Sequence, residues 1–223
     1  MPLTIFALAL ALAGQPPAAP AQRFDYLVRG DFFAGAAGDP ARLQKAIDLC
    51  EWTLADNPAH AEALVWHGAA MLVKSGAAFR SGNMAAGGQL WDRGLKEMND
   101  ALALGPDRLG VLIPRAAVLL EATRSVPPDT ARPLVESAVA NYERALELQA
   151  PYFGTLGDHA KGELLFGLAD GWSRLGQSEK ARAYFDRLIK DAPTSGQVAK
   201  AREWIATGTI PKSAGPSCVG CHK

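Results

Sequence analysis

The feature that most constrains this chain is the regularity with which helix-forming sequence is interrupted. From Arg23 to Thr207, Ala, Leu, Glu, Arg and Lys dominate, and runs of β-branched residues are absent. Breaks fall at Gly38-Asp39-Pro40, Asn57-Pro58, Gly76, Gly105-Pro106, Pro127-Pro128, Ala150-Pro151, Gly176 and Ala192-Pro193. Glycine stops a helix through its left-handed freedom, and proline through its missing N–H. Helices of this length cannot bury an apolar face alone, so they must fold back on one another. The expected fold is all-α.

The clearest unit is Gly162 to Pro193 (GELLFGLADGWSRLGQSEKARAYFDRLIKDAP). Leu165, Leu168, Ala169 and Trp172 share one face of a first helix. Gly176 turns the chain, and Ala181, Phe185 and Leu188 share a face of the second. The small residues allow close approach, and the aromatics fill the space beside them. The offsets of small residue, aromatic, turn glycine and closing proline resemble the tetratricopeptide repeat, a helix-turn-helix unit of about 34 residues.

Looser copies precede it. Arg23 to Pro58 is interrupted near Gly38. Ala59 to Pro106 carries an insertion around Ala77 to Gly88, and Asp107 to Ala150 carries another at Ser125 to Pro133. Ser195 to Thr207 then reads as a closing helix that covers the apolar side of the last repeat. The expectation is a helix-turn-helix solenoid of about four such repeats over residues 23–207, plus a capping helix and an irregular C-terminal tail. The resemblance implies a groove lined by first helices, here by Val65, Ala69, Ile113, Ala117, Glu121, Glu163, Phe166, Asp170, Ser173 and Arg174. That lining is mixed and partly apolar, and it implies a protein partner held by apolar anchors.

Composition shifts after Thr207. Residues 208–217 (GTIPKSAGPS) hold two prolines and two glycines and read as a linker, reaching about 30 Å when extended. Residues 218–223 are Cys-Val-Gly-Cys-His-Lys. Two cysteines two residues apart with histidine directly after is the attachment signature of a c-type haem. The thiols of Cys218 and Cys221 would add across the haem vinyl groups as thioethers. The imidazole of His222 would then reach the iron as its proximal axial ligand. The motif is similar to that of exported cytochromes c. Those proteins carry most of their fold after the motif, including the far-side ligand, whereas only Lys223 follows here. The haem is therefore expected to lean on the preceding domain, on a partner or on solvent. His159, nearest the tail in sequence, and Met84, in the Gly-rich insertion, are candidates for the distal position. His60 and His67 read as a helix-start polar residue and a satisfied, half-buried one. A terminal disulfide between Cys218 and Cys221, or half of a zinc site, are the other uses of the pair.

The remaining features bear on compartment and partners. Leu3 to Leu12 is a short apolar run followed by small residues at Ala11 and Ala13, which fits an export signal over residues 1–13. Residues 14–22 are a Pro/Ala linker. An exported, periplasmic location agrees with haem attachment outside the cytoplasm, and no membrane span is expected once the signal is removed. With 23 basic and 23 acidic residues the chain is neutral, which gives no electrostatic reason to expect nucleic acid. Cys50 reads as a core cysteine, and the tryptophans, Trp52 among them, as packing residues. No phosphate loop, Ser/His/Asp set or carboxylate pair points to a hydrolase or transferase. Three readings follow. The first is an exported carrier of one covalent haem c, exchanging electrons with a protein partner. The second is a cofactor-free interaction scaffold. The third is a cytochrome c assembly factor that recognises such tails.

Overall fold

A computed structural model describes residues 23–210. The expected export signal, the Pro/Ala linker, most of the second linker and the haem-attachment motif lie outside the described residues. Among these, nine α-helices follow in order: α1 (Phe24–Ala36), α2 (Pro40–Asp56), α3 (Ala61–Arg80), α4 (Met84–Leu104), α5 (Leu109–Ala122), α6 (Pro128–Gln149), α7 (Asp158–Arg174), α8 (Ser178–Asp191) and α9 (Val198–Thr207). The fold is an all-α helical-repeat solenoid, with no strand among the described residues.

The helix starts are written locally. Asp39 accepts from Ala41 N and Arg42 N at 3.1 Å and caps α2, whose first residue is Pro40. His60 Nδ1 accepts from Ala63 N at 3.0 Å to cap α3, and Asn83 does the same for α4 through Ala86 N. Each cap satisfies an N–H that a helix start would otherwise leave without a partner.

Pairs α1/α2, α3/α4, α5/α6 and α7/α8 form four antiparallel hairpins, and α9 closes the stack against α8. First helices α1, α3, α5 and α7 pack on one another in succession, whereas second helices do not pack on each other to a comparable extent. First helices therefore form the tighter, inner side of the curve. The core runs unbroken through the stack. Leu165, Leu168, Ala169, Ala181, Phe185 and Leu188 are completely buried, as the stripes of the last repeat predict. Trp172, from the same stripe, is only half-buried. The α3/α4 hairpin closes on glycine. A Cβ on Gly68 would lie 2.7 Å from the Gly94 carbonyl oxygen, and one on Gly94 would lie 2.8 Å from that of Gly68. At the α4–α5 step, where helix packing is sparse, buried Arg115 of α5 reaches Asn99 on α4 and Ser137 and Asn141 on α6 at 2.6–2.9 Å.

Four expectations need correction or refinement. Gly76 does not stop a helix. It lies inside α3, and the turn comes at Gly82, whose φ of +83° suits a residue without Cβ. The insertion expected around Ala77 to Gly88 is accordingly built as helix and not as a loop. Both helices extend through it, with Phe79 packed over Gly87, so the second hairpin is longer than the others. Ser125 to Pro133 is likewise mostly helix, because Pro128 opens α6 and Pro133 is accommodated inside it. Trp52 is not a packing residue, being 74% exposed on α2.

Candidate functional site

The residues expected to line a groove on the first helices are largely committed to packing and to polar contacts between helices. Val65 and Ala69 are fully buried, and Phe166 stacks edge-on against Phe185 at 5.9 Å. Asp170 is 2% exposed and paired with Arg124 at 2.8 Å, and Arg124 also holds Glu121 at 2.7 Å. Arg174 donates to the carbonyls of Leu120 and Thr123, tying α7 to the end of α5. Glu163 accepts from Gln197 Nε2, and Ser173 from Trp204 Nε1, so the segment beginning at Gln197 takes up two more of these positions. Ile113 and Ala117 stay half-buried. An uninterrupted apolar track along the first helices is thus not what this sequence builds. Sequence periodicity identified the right helices, but which polar side chains meet depends on how hairpins stack.

Open space lies on the opposite side, along α6, where second helices splay. One groove of about 490 Å³ is lined by Glu143, Leu146, Glu147, Phe153, Tyr184 and Arg187. Arg187 lies over the Phe153 ring at 4.6 Å. Burial raises the Tyr184 hydroxyl above its ordinary value, helped by the charge of Glu143. A second groove of about 300 Å³ sits towards the other end of α6, lined by Arg132, Glu136, Ala140, Trp172 and Gln177 and sharing Glu143 with the first. Lys180 Nζ lies 3.7 Å from the Trp172 ring centroid. No residue pattern points to these grooves, because their walls come from separate helices that meet only in the folded stack.

The structure sorts the histidines, methionines and cysteine of the body. His60 caps a helix and packs on Phe24 at 5.0 Å. His67 is 2% exposed rather than half-buried. Its Nδ1–H donates to Glu97 at 2.6 Å, and its Nε2 lies 3.5 Å from Glu51. Met71 and Met98 are core, as expected. Met84 opens α4 at the tip of the long hairpin, 65% exposed. His159 is exposed in the first turn of α7, in the fourth hairpin, whereas Met84 belongs to the second. The structure does not bring these two distal-ligand candidates together. Cys218, Cys221 and His222 lie outside the described residues. Among the described residues, no group of three or more His, Cys, Asp or Glu side chains is placed to hold a metal ion. No helix there is long and apolar enough to cross a membrane.

Two expected results arise here. Cys50 is 1% exposed and free, and burial, with the charges of Glu97 and Glu51, pushes its thiol up to about 12. Thiol reagents act on the thiolate, so Cys50 should resist labelling at neutral pH until the chain unfolds. Quantifying thiols with and without denaturant checks this, and rapid labelling of the folded chain would contradict it. Burial pushes Glu97 up, but the hydrogen bonds and charges of His67 and Arg93 outweigh it and hold the carboxyl below its ordinary 4.5. A depressed folded value means that the stabilisation is complete above the ordinary value and disappears as pH falls through the lower one. Glu97→Gln should therefore flatten the acid limb of a plot of melting temperature against pH. An acid limb of unchanged slope would remove Glu97 from the account.

Comparison with protein-family models and with curated proteins finds no match for the chain.

Proposed function

We propose that this is an exported helical-repeat protein, similar in plan to tetratricopeptide proteins, that carries one haem c on Cys218 and Cys221 with His222 as proximal ligand. It exchanges electrons with a protein partner that the solenoid recruits. The observation that carries the reading is the donor set itself: two thiols at the spacing of the vinyl groups and an imidazole next to the second. The state of the body's own side chains supports it. Cys50, the third cysteine, is enclosed in α2, where it cannot reach the tail pair without unfolding. His60 and His67 are engaged in a helix cap and a hydrogen bond to Glu97, and both are held within the helical body. When bound, the haem supplies one-electron chemistry; the chain anchors it and sets the polarity around it. His159 and Met84 remain the proposed distal ligands, with water or a partner's side chain as the alternative.

Intact-mass measurement and a visible spectrum of protein matured with the haem c attachment machinery test this. The expected product is coloured and heavier than the polypeptide by one haem. A colourless product of polypeptide mass would favour the second reading, a cofactor-free scaffold that binds protein segments in the grooves along α6, in cytochrome c assembly among other settings. The existence of those grooves is what keeps that reading alive.

A further inference from the structure

Charge limits what the grooves along α6 can take. They share Glu143 and so adjoin one another, running about 22 Å from Arg132 to Glu147 at the rise of a helix. Their lining carries three carboxylates and two guanidiniums, and all but one of these charges are already matched. Arg132 pairs with Glu136 at 3.4 Å, and Glu147 with Arg144 at 2.9 Å. Arg187 pairs with Asp191 at 3.1 Å and lies over the Phe153 ring. Glu143 is the exception. It is half-buried, sits where the two grooves meet, and has no ion pair or hydrogen bond among the described residues.

The walls beside Glu143 are apolar or aromatic. Ala140 and Trp172 line the groove on one side of it, and Leu146 and Tyr184 on the other. Burial and, after it, the charge of Glu143 raise the Tyr184 hydroxyl above its ordinary value, so phenol and carboxylate are neighbours. A carboxylate partly withdrawn from water gains more from a counter-charge than a fully exposed one does. Arginine suits this place better than lysine. Its planar guanidinium takes a carboxylate with two parallel hydrogen bonds and stacks on an aromatic face. A length of about 22 Å holds about seven residues of extended chain. Alternate side chains of such a chain point the same way, so residues two before and two after the arginine share its face, about 7 Å from it.

We infer that the channel along α6 docks an extended segment of the protein partner, with an arginine on Glu143 and apolar side chains two residues before and two after it. This rests on the recruitment of a protein segment by the solenoid, which the carrier and scaffold readings above share, and not on the haem. It puts the partner on the outer side of the curve, away from the first helices whose polar side chains already hold one another.

Fluorescence anisotropy of a labelled peptide, Ser-Leu-Ser-Arg-Ser-Leu-Ser, titrated with the full chain tests the inference, beside peptides with glutamate or alanine in place of the arginine. The arginine peptide should bind at least about tenfold more tightly than the other two, and the difference should shrink as salt is raised. Glu143→Gln should erase that preference, and Glu143→Arg should transfer it to the glutamate peptide. Glu136→Gln should leave it unchanged, because Glu136 already has its own partner. A merely structural role for Glu143 would not exchange the preference, and circular dichroism shows that each variant is folded. Equal binding of the three peptides, or a preference that survives Glu143→Gln, would overturn the arginine site while leaving recruitment in the grooves. Binding of none of them would remove both. Intact mass reads the haem separately, so a loss of the preference in haem-bearing protein would leave the haem reading standing.

Discussion

Replacing both Cys218 and Cys221 with alanine should give a colourless chain of polypeptide mass whose helical content matches the parent. The effect is all-or-none because the two thioethers are the covalent attachment; with both gone, His222 alone would hold the porphyrin by one coordinate bond. The fold should survive, since the core is assembled from residues between Phe24 and Ile210. Circular dichroism, intact mass and the visible spectrum read the three parts of the expectation separately. Single substitution of either cysteine should leave one thioether and an altered spectrum. His222→Ala should keep the macrocycle but change the iron's spin state. If the double alanine variant retains the parent's colour, the attachment chemistry is wrong.

Phe185→Ala should be among the most destabilising single changes in the body, at about 3–5 kcal/mol. Phe185 is completely buried on α8 and joins three helices. Its ring lies 5.9 Å from Phe166 of α7 and 4.8 Å from Trp204 of α9. Truncation would leave a cavity at the junction that docks the cap, and rigid backbones on three sides limit collapse into it. Since small domains are stable by about 5–15 kcal/mol, a loss of this size should lower the urea midpoint markedly. Phe185→Leu, which keeps most of the volume, should cost about 1.5 kcal/mol or less. Equal midpoints for the alanine variant and the parent would show that α9 does not depend on this contact. Because repeat proteins are stabilised by nearest-neighbour interfaces, the damage should be largest in α7 to α9. Hydrogen exchange resolved by helix would show that distribution.

Much of the architecture was legible before any coordinates. The four hairpins and the closing helix follow from where glycine and proline interrupt the apolar stripes. The stripes of the last repeat predict six of its completely buried residues. Boundaries were less legible where two punctuation signals compete. Gly76 and Gly82 both lie near the turn of the long hairpin, and only Gly82 takes a positive φ. Gly76 is tolerated within α3 because tertiary contacts on both sides outweigh its weak helix propensity, a cost of about 1 kcal/mol. Trp52 shows the reverse failure: a large apolar residue at helical spacing, left in solvent because no neighbouring helix covers that face of α2.

The sequence by itself determined the helical class, the hairpin count, the buried stripes and the chemistry that a Cys-x-x-Cys-His set can perform, because each depends on residue type and local spacing. Only the tertiary structure decided which side of the solenoid is open. Arg124, Asp170 and Arg174 come from segments up to 50 residues apart, yet they meet and fill the inner side. The second helices, by contrast, splay and leave grooves at Trp172 and at Tyr184. Stacking geometry sets that outcome through contacts between hairpins, and no local pattern along one helix encodes the partner it will face.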